Sequence, residues 1–332
     1  MTFPVMTRRI EFRPYRREFV RPLQTARGEW SVREGFVVRV EASGRIGYGE
    51  VAPLPEFGTE TADEAQAFLE YLVEHPDAAV PLERTCCAFG LSAATAERGH
   101  LGDREVAALL PAGSEALQAA RVKCGAGYRS FKWKIGFGSV EVETEICDDL
   151  LDVLGPERKL RLDGNCGLDP QRLEAWLSFL QPHAEQIEFI EQPLPVGQEQ
   201  LMAELSAASA IPIALDESLN GRDGLAWFEP GEWKGPLVIK PLLMGDVHEL
   251  AERLRPHAER LVFSSVFETG VGLSNAFSVM GMLPRSRYAL GFDTLNAFND
   301  SLSIDWKGPC ICAAPISALD LDELWNDLPH SN

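Results

Sequence analysis

Phe131-Lys132-Trp133-Lys134-Ile135-Gly136 is a run of strand-forming residues closed by a glycine, with two lysines one residue apart. Side chains alternate faces along a strand, so Lys132 and Lys134 share one face and Trp133 takes the other. Alone, the run also fits an edge strand carrying solvated lysines. The stretches that follow it decide the fold.

Leu160-Arg161-Leu162-Asp163-Gly164-Asn165 comes next, then Ile187-Glu188-Phe189-Ile190-Glu191-Gln192-Pro193. Ile211-Pro212-Ile213-Ala214-Leu215-Asp216-Glu217 and Pro236-Leu237-Val238-Ile239-Lys240-Pro241 complete the series. Each is short, mostly apolar, and charged at its C-terminal end. From Lys134 through Asp163, Glu191 and Asp216 to Lys240 the numbering advances by 29, 28, 25 and 24. That is one strand, one helix and two short loops. A parallel α/β barrel gathers the C-terminal ends of its strands around one mouth, where catalytic groups collect. The spacing therefore predicts three carboxylates converging between two lysines. Three carboxylates without His or Cys suit a hard cation such as Mg²⁺. A lysine beside that cation can remove a proton next to a carboxylate.

These residues resemble the enolase superfamily, in its muconate-lactonising subgroup, over nearly the whole chain. Lys132-Trp133-Lys134 is similar to the subgroup's Lys-x-Lys base motif, Asp163, Glu191 and Asp216 to its three metal ligands, and Lys240 to its second catalytic lysine. The resemblance implies an α/β fold, a TIM-like (β/α)7β barrel with an α+β capping domain built from the N-terminal region and the C-terminal tail. The expected boundaries are 1–102 for the cap, 103–304 for the barrel and 305–332 for the returning tail. Mg²⁺, with Mn²⁺ as its substitute, is the implied cofactor, and a small anionic carboxylate the implied substrate.

Arg21 to Gly28, Gly47 to Pro55 and Gly291-Phe292-Asp293-Thr294-Leu295 narrow the resemblance further. They are similar to members that dehydrate 2-succinyl-6-hydroxy-2,4-cyclohexadiene-1-carboxylate on the way to menaquinone or phylloquinone. In that chemistry Lys134 takes the α-proton and returns it to the departing hydroxyl on the same face. Lys132 sets a like charge beside it, and Lys240, opposite, stays cationic. In the sister reading, racemisation of N-succinylamino acids or epimerisation of dipeptides, Lys134 and Lys240 serve as acid and base on opposite faces.

Arg27, Asn165, Ser264, Ser265, Gly270 and Asp293 are the expected substrate contacts. Ser264 to Gly272 places hydroxyls and glycines ahead of a helix, whose first N–H groups can receive a carboxylate. The loops 21–28 and 53–58 are expected to fold over the mouth, with Arg21 or Arg27 steering an anionic substrate. Asn165 shares the face of Asp163. Glu217 is expected to face away from Asp216 and to pair with Lys240 or a neighbouring cation. Leu168 stands where many relatives carry a tryptophan.

Ahead of the barrel, residues 6 to 53 read as antiparallel strands, with a hairpin at Ala42-Ser43-Gly44. Two helices follow, one capped near Thr59 or Thr61 and one over roughly Leu82 to Glu97. Barrel strand one is expected at Glu105 to Leu110, strand seven at Arg260 to Ser265 and strand eight at Tyr288 to Thr294. The segment from about Asp305 to Leu321 is expected to return to the cap. The 332 residues are 45% apolar with a formal net charge of −19, which argues against nucleic acid and anionic membranes as partners. Seven cysteines in no zinc-like spacing point to a reduced, cytoplasmic protein, with Cys310 and Cys312 as packing residues. Signal-peptide and membrane-spanning runs are not evident. None of the six histidines falls at an expected strand end, which argues against a histidine-based racemase and a zinc hydrolase.

Overall fold

The computed structural model describes residues 8–25, 28–97, 102–221, 223–294, 297–304, 308–312 and 320–329. β1 (Arg9–Thr25), β2 (Gly28–Ala42) and β3 (Arg45–Val51) form an antiparallel sheet in that order. Ser43 and Gly44 both take positive φ between paired Ala42 and Arg45, the two-residue turn that suits strand twist. The stretch 21–28, expected as a loop, is strand-paired as far as Thr25 opposite Gly28, with an irregularity between Glu18 and Leu23. Its polarity reports exposure at Arg21 and Pro22, while Leu23 and Trp30 are half-buried. Arg27 lies outside the described residues.

α1 (Ala62–Glu74) starts at a capping box in which Thr61 and Glu64 each satisfy the other's backbone N–H. α2 (Thr85–Ala93) is shorter than the expected 82–97 and apolar almost all round, because it is buried between the capping sheet and the barrel. Glycine lets it lie directly on β3: a Cβ on Gly49 would stand 1.8 Å from the Gly90 carbonyl oxygen.

After β4 (Arg104–Glu105), the barrel strands are β5 (Ala108–Leu109), β6 (Ser130–Lys134), β7 (Lys159–Asp163), β8 (Ile187–Glu191), β9 (Ile213–Ala214), β10 (Leu237–Ile239) and β11 (Leu261–Phe263). β5 to β9 form one parallel sheet and β10–β11 another. The bridge Leu215–Leu237 joins the two sheets, and Ser264–Gly291 and Val106–Leu290 close the ring. The eighth strand, expected over 288–294, is reduced to these bridging residues. The connecting helices are α3 (Glu115–Gly125), α4 (Val140–Leu154), α5 (Pro170–Leu180), α6 (Glu199–Ala207), α7 (Val247–Leu254) and α8 (Gly270–Gly281). Between β9 and β10 the described residues form 3-10 turns at Glu217–Leu219 and Asp223–Phe228.

Caps recur where the chain turns from strand to helix: Ser139, Asp169, Asp246 and Thr269 each accept a backbone N–H of the helix they precede. Trp133, Leu162 and Ile190 point outward and are fully buried against the helices. Inside the barrel, Phe189, Ala214, Val238, Val262 and Tyr288 make a separate apolar cluster. It forms the floor beneath the polar strand ends. β12 (Cys310–Ile311) pairs with β4, and α9 (Leu321–Asp327) packs on the capping sheet, where Arg13 donates to the Trp325 carbonyl at 2.7 Å. Among the described residues no helix is long and apolar enough to cross a membrane.

Candidate active site

Strand register puts the charged ends side by side: Lys134 opposite Asp163, and Asp163 opposite Glu191. Gly164 permits this approach, because a Cβ there would meet the Pro193 Cα at 2.6 Å. Lys132 Nζ lies 2.8 Å from Asp163 Oδ2 and 2.7 Å from Glu191 Oε1. Lys240 is held against Asp216, with its ammonium 5.1 Å from the centre of the Phe57 ring. Lys134 lines the same cavity, of about 170 Å³, and among the described residues has no carboxylate at ion-pair distance. A larger cleft of about 700 Å³ shares only Phe57 and Lys240 with this cavity and contains none of the three strand-end carboxylates.

The site is short of positive charge. Burial would by itself lower Lys132, but Asp163, Glu191 and Asp216 outweigh it and raise its pKa well above the usual value. Burial is also the largest influence on Asp163 and pushes it up, yet Lys132 and Lys134 bring it below its usual value. Glu191 is raised to about 8, by burial first, against Lys132 and with the help of Asp163 and Asp216. Glu217 is raised to about 7 by burial and then by Asp216 and Asp163.

Glu217 does not face away or pair with Lys240. The 3-10 turn after β9 swings it back into the cavity, where Oε1 accepts from Asn165 Nδ2 at 3.4 Å. Its Oε2 and the Asn165 Oδ1 are buried without partners. Gln192 was not singled out in the sequence: its side-chain oxygen accepts from the N–H groups of Asp216 (3.0 Å) and Ser218 (3.2 Å), fixing the Asp216 backbone. The Glu-Gln-Pro run after β8 was the available signal.

The remaining expected contacts divide. Ser264 and Ser265 line the cavity, Ser265 already donating to Glu268 Oε2 at 2.9 Å. Asp293 lines it too, but its carboxylate is engaged by Lys123 (2.7 Å) and by the Leu109 N–H (2.9 Å). Gly270 does not line it: its N–H donates to the Leu302 carbonyl at 2.7 Å. The start of α8 is also unavailable to a substrate carboxylate. Glu50 of the capping sheet already occupies it, accepting from the N–H groups of Thr269 and Gly272 at 2.9 Å each. Arg21 is exposed, and β1 and β2 supply Leu23 and Trp30 to the cavity wall instead.

Among the described residues, no three carboxylate, imidazole or thiolate groups close on one point as a preformed cage. The donor set nevertheless fits a hard cation: its acidic groups are all oxygen donors, two further oxygens are orphaned beside it, and burial and then neighbouring carboxylates raise Glu191 and Glu217, a charge crowding that a cation would relieve.

The chain is similar to known proteins in both sequence and fold. The family profile described as Enolase C-terminal domain-like matches residues 115–228, and MenC, N-terminal domain, matches residues 23–98. An o-succinylbenzoate synthase of Thermosynechococcus vestitus is 37% identical over 86% of this chain and 92% of its own length. Another from Klebsiella pneumoniae is 31% identical over 87% of this chain and 91% of its own. The crystal structure of o-succinylbenzoate synthase from Thermosynechococcus elongatus BP-1, complexed with Mg in the active site, superposes with a TM-score of 0.82. It is 32% identical and covers 96% of this chain and 100% of its own. The L-Ala-D/L-Glu epimerase from Bacillus subtilis shares the fold at 19% identity, 92% coverage of this chain and 95% of its own, with a TM-score of 0.75. Matched over most of its length by these synthases and in both parts by the two family profiles, the chain belongs to the o-succinylbenzoate synthase family of the enolase superfamily.

Proposed function

We propose that the protein is a hydro-lyase that converts 2-succinyl-6-hydroxy-2,4-cyclohexadiene-1-carboxylate to o-succinylbenzoate and water, the aromatising step toward menaquinone or phylloquinone. The single observation that carries the reading is the inequality of the three lysines. Lys132 and Lys240 are tied to carboxylates, whereas Lys134 faces the cavity with no ion-pair partner among the described residues. One free base on one face suits syn elimination. The neutral Lys134 amine takes the proton from C1, the electron pair forms the new ring double bond, and the C6–O bond breaks. The ammonium of Lys134 then gives the same proton to the departing hydroxide, so that water leaves. Lys240, kept cationic against Asp216, stabilises the anionic ring from the other side.

Asp163, Glu191 and Asp216 are the residues that would hold Mg²⁺, or Mn²⁺ in its place, with Asn165 and Glu217 beside them. That cation would supply fixed positive charge for the carboxylate as its α-proton leaves. Ser264 offers a hydroxyl to the substrate, and Ser265, Arg27 and Asp293 remain candidates for holding it. The larger units behind this chemistry are a cap over 1–102, a barrel over 103–304 and a tail over 305–332. Seven unbridged cysteines support a reducing, cytoplasmic setting.

The test is turnover of the cyclohexadiene acid by the purified protein with Mg²⁺, against racemisation of an N-succinylamino acid in D₂O. Efficient dehydration with at most single-face deuterium exchange is the expected result. Fast inversion of the amino acid, at a specificity equal to or above dehydration, would assign the protein to the racemases instead.

A further inference from the structure

Two arginines of the capping sheet are buried against the barrel, each only 2% exposed. A guanidinium is retained in such a place only with its donors satisfied. Arg33 on β2 donates from Nε to the Val266 carbonyl (3.0 Å), from Nη1 to Pro53 (2.7 Å) and Glu34 (2.8 Å), and from Nη2 to Ala52 (2.8 Å). Arg17 on β1 donates from Nη1 to the Glu268 carbonyl at 2.9 Å and the Phe267 carbonyl at 3.3 Å, and its remaining nitrogens bind Asp300. Three consecutive carbonyls of the loop after β11 are therefore held from the cap.

The other side of that loop is tied as well. Glu268 Oε2 accepts from the Val266 N–H at 2.7 Å, and Ser265 Oγ accepts from the Phe267 N–H at 3.0 Å. Between these ties Phe267 adopts φ of 63°, a left-handed conformation that a phenylalanine does not keep unless its surroundings impose it. Its ring packs on Phe19 of β1, with centres 5.2 Å apart, and also lines the catalytic cavity. Arg33 reaches further still. The Ala52 and Pro53 carbonyls it grips open the segment that carries Leu54 and Phe57, which line the same cavity.

We infer that Arg33, seconded by Arg17, is a positioning residue for substrate recognition. One buried guanidinium fixes two walls of the catalytic cavity, Leu54–Phe57 from the cap and Val266–Phe267 from the barrel, at a set separation. The cap thus selects the substrate through the barrel's own backbone as well as through its own side chains. This rests on reading the cavity as the dehydration site. Neither arginine touches the reacting atoms, and the lysines and carboxylates stand on other strands. Loss of the clamp therefore weakens binding more than chemistry.

Arg33→Met and Arg33→Lys test this with Mg²⁺ present, by steady-state kinetics, thermal melting and hydrogen exchange of segments 52–57 and 264–269. For a folded Arg33→Met protein the expected KM is raised about tenfold to a hundredfold with kcat within about threefold. Exchange should accelerate in both segments, and the lysine variant should recover part of the KM. Wild-type KM and exchange in folded Arg33→Met overturn the inference, as does a fall in kcat at unchanged KM. Should Arg33→Met not fold, Arg33→Lys and Arg17→Gln are judged by the same criteria. Absence of turnover by the wild-type protein would sink the dehydration reading alone. Exchange in the two segments would then decide the clamp, faster in the variants if it holds and unchanged if it does not.

Discussion

Lys132 and Lys134 stand on one face of one strand, and what separates them is which carboxylates each can reach. Lys132 lies deeper and bridges Asp163 and Glu191, while Lys134, at the strand end, looks into the cavity. Alternation along a strand made the shared face readable, and in-phase strand ends made the three carboxylates readable. The unequal pairing of the lysines was not readable, because it depends on side-chain reach across the barrel. If Lys134 is the base, Lys134→Ala loses about 10²–10⁴-fold or more in turnover. Its melting temperature and circular dichroism stay near wild type, since among the described residues the side chain makes no ion pair to lose. A folded Lys134→Ala retaining a large share of activity would contradict the assignment. Glu217 shows the opposite case. Strand alternation pointed it away from Asp216, and a 3-10 turn brought it back.

At the scale of elements, the α8 entry is where local reading and structure part. Hydroxyls and glycines before a helix mark an anion-binding start, and the anion there is Glu50 from the capping sheet. Nothing local could distinguish a substrate carboxylate from one 219 residues earlier in the chain. Glu268, in the same loop, is raised from 4.5 to about 7, by burial first and also by the charge of Glu50. Its folded pKa lies above its unfolded one, so its contribution to stability is full below about pH 4.5. That contribution is lost as pH rises through about 7. Comparing unfolding free energies of wild type and Glu268→Gln across this range isolates the effect. The difference should move in favour of the glutamine variant as pH rises, and a difference constant with pH would show that Glu268 does not titrate in this window.

Over the whole molecule, the formal net charge of −19 and the crowded carboxylates make positive charge in the barrel mouth valuable. Mg²⁺ should therefore raise the melting temperature, EDTA should reverse the rise, and Asp216→Asn should shrink it. Saturation at about a hundred times the dissociation constant corresponds to about 2.7 kcal/mol. A melt indifferent to Mg²⁺ and EDTA would remove the cation from the site. The sequence by itself determined the barrel, because its strand-end charges recur at the length of one β/α unit. It also determined the residue types of the site, because strand alternation and parallel topology leave such charges no other common face. Tertiary structure alone decided which lysine stays unpaired, where Glu217 points, and how Arg33, Arg17 and Glu50 lock the cap to the loop after β11. The contacts between the cap and that loop join residues more than two hundred positions apart, and their partners are often backbone carbonyls and amides, which every residue carries and no side-chain pattern marks.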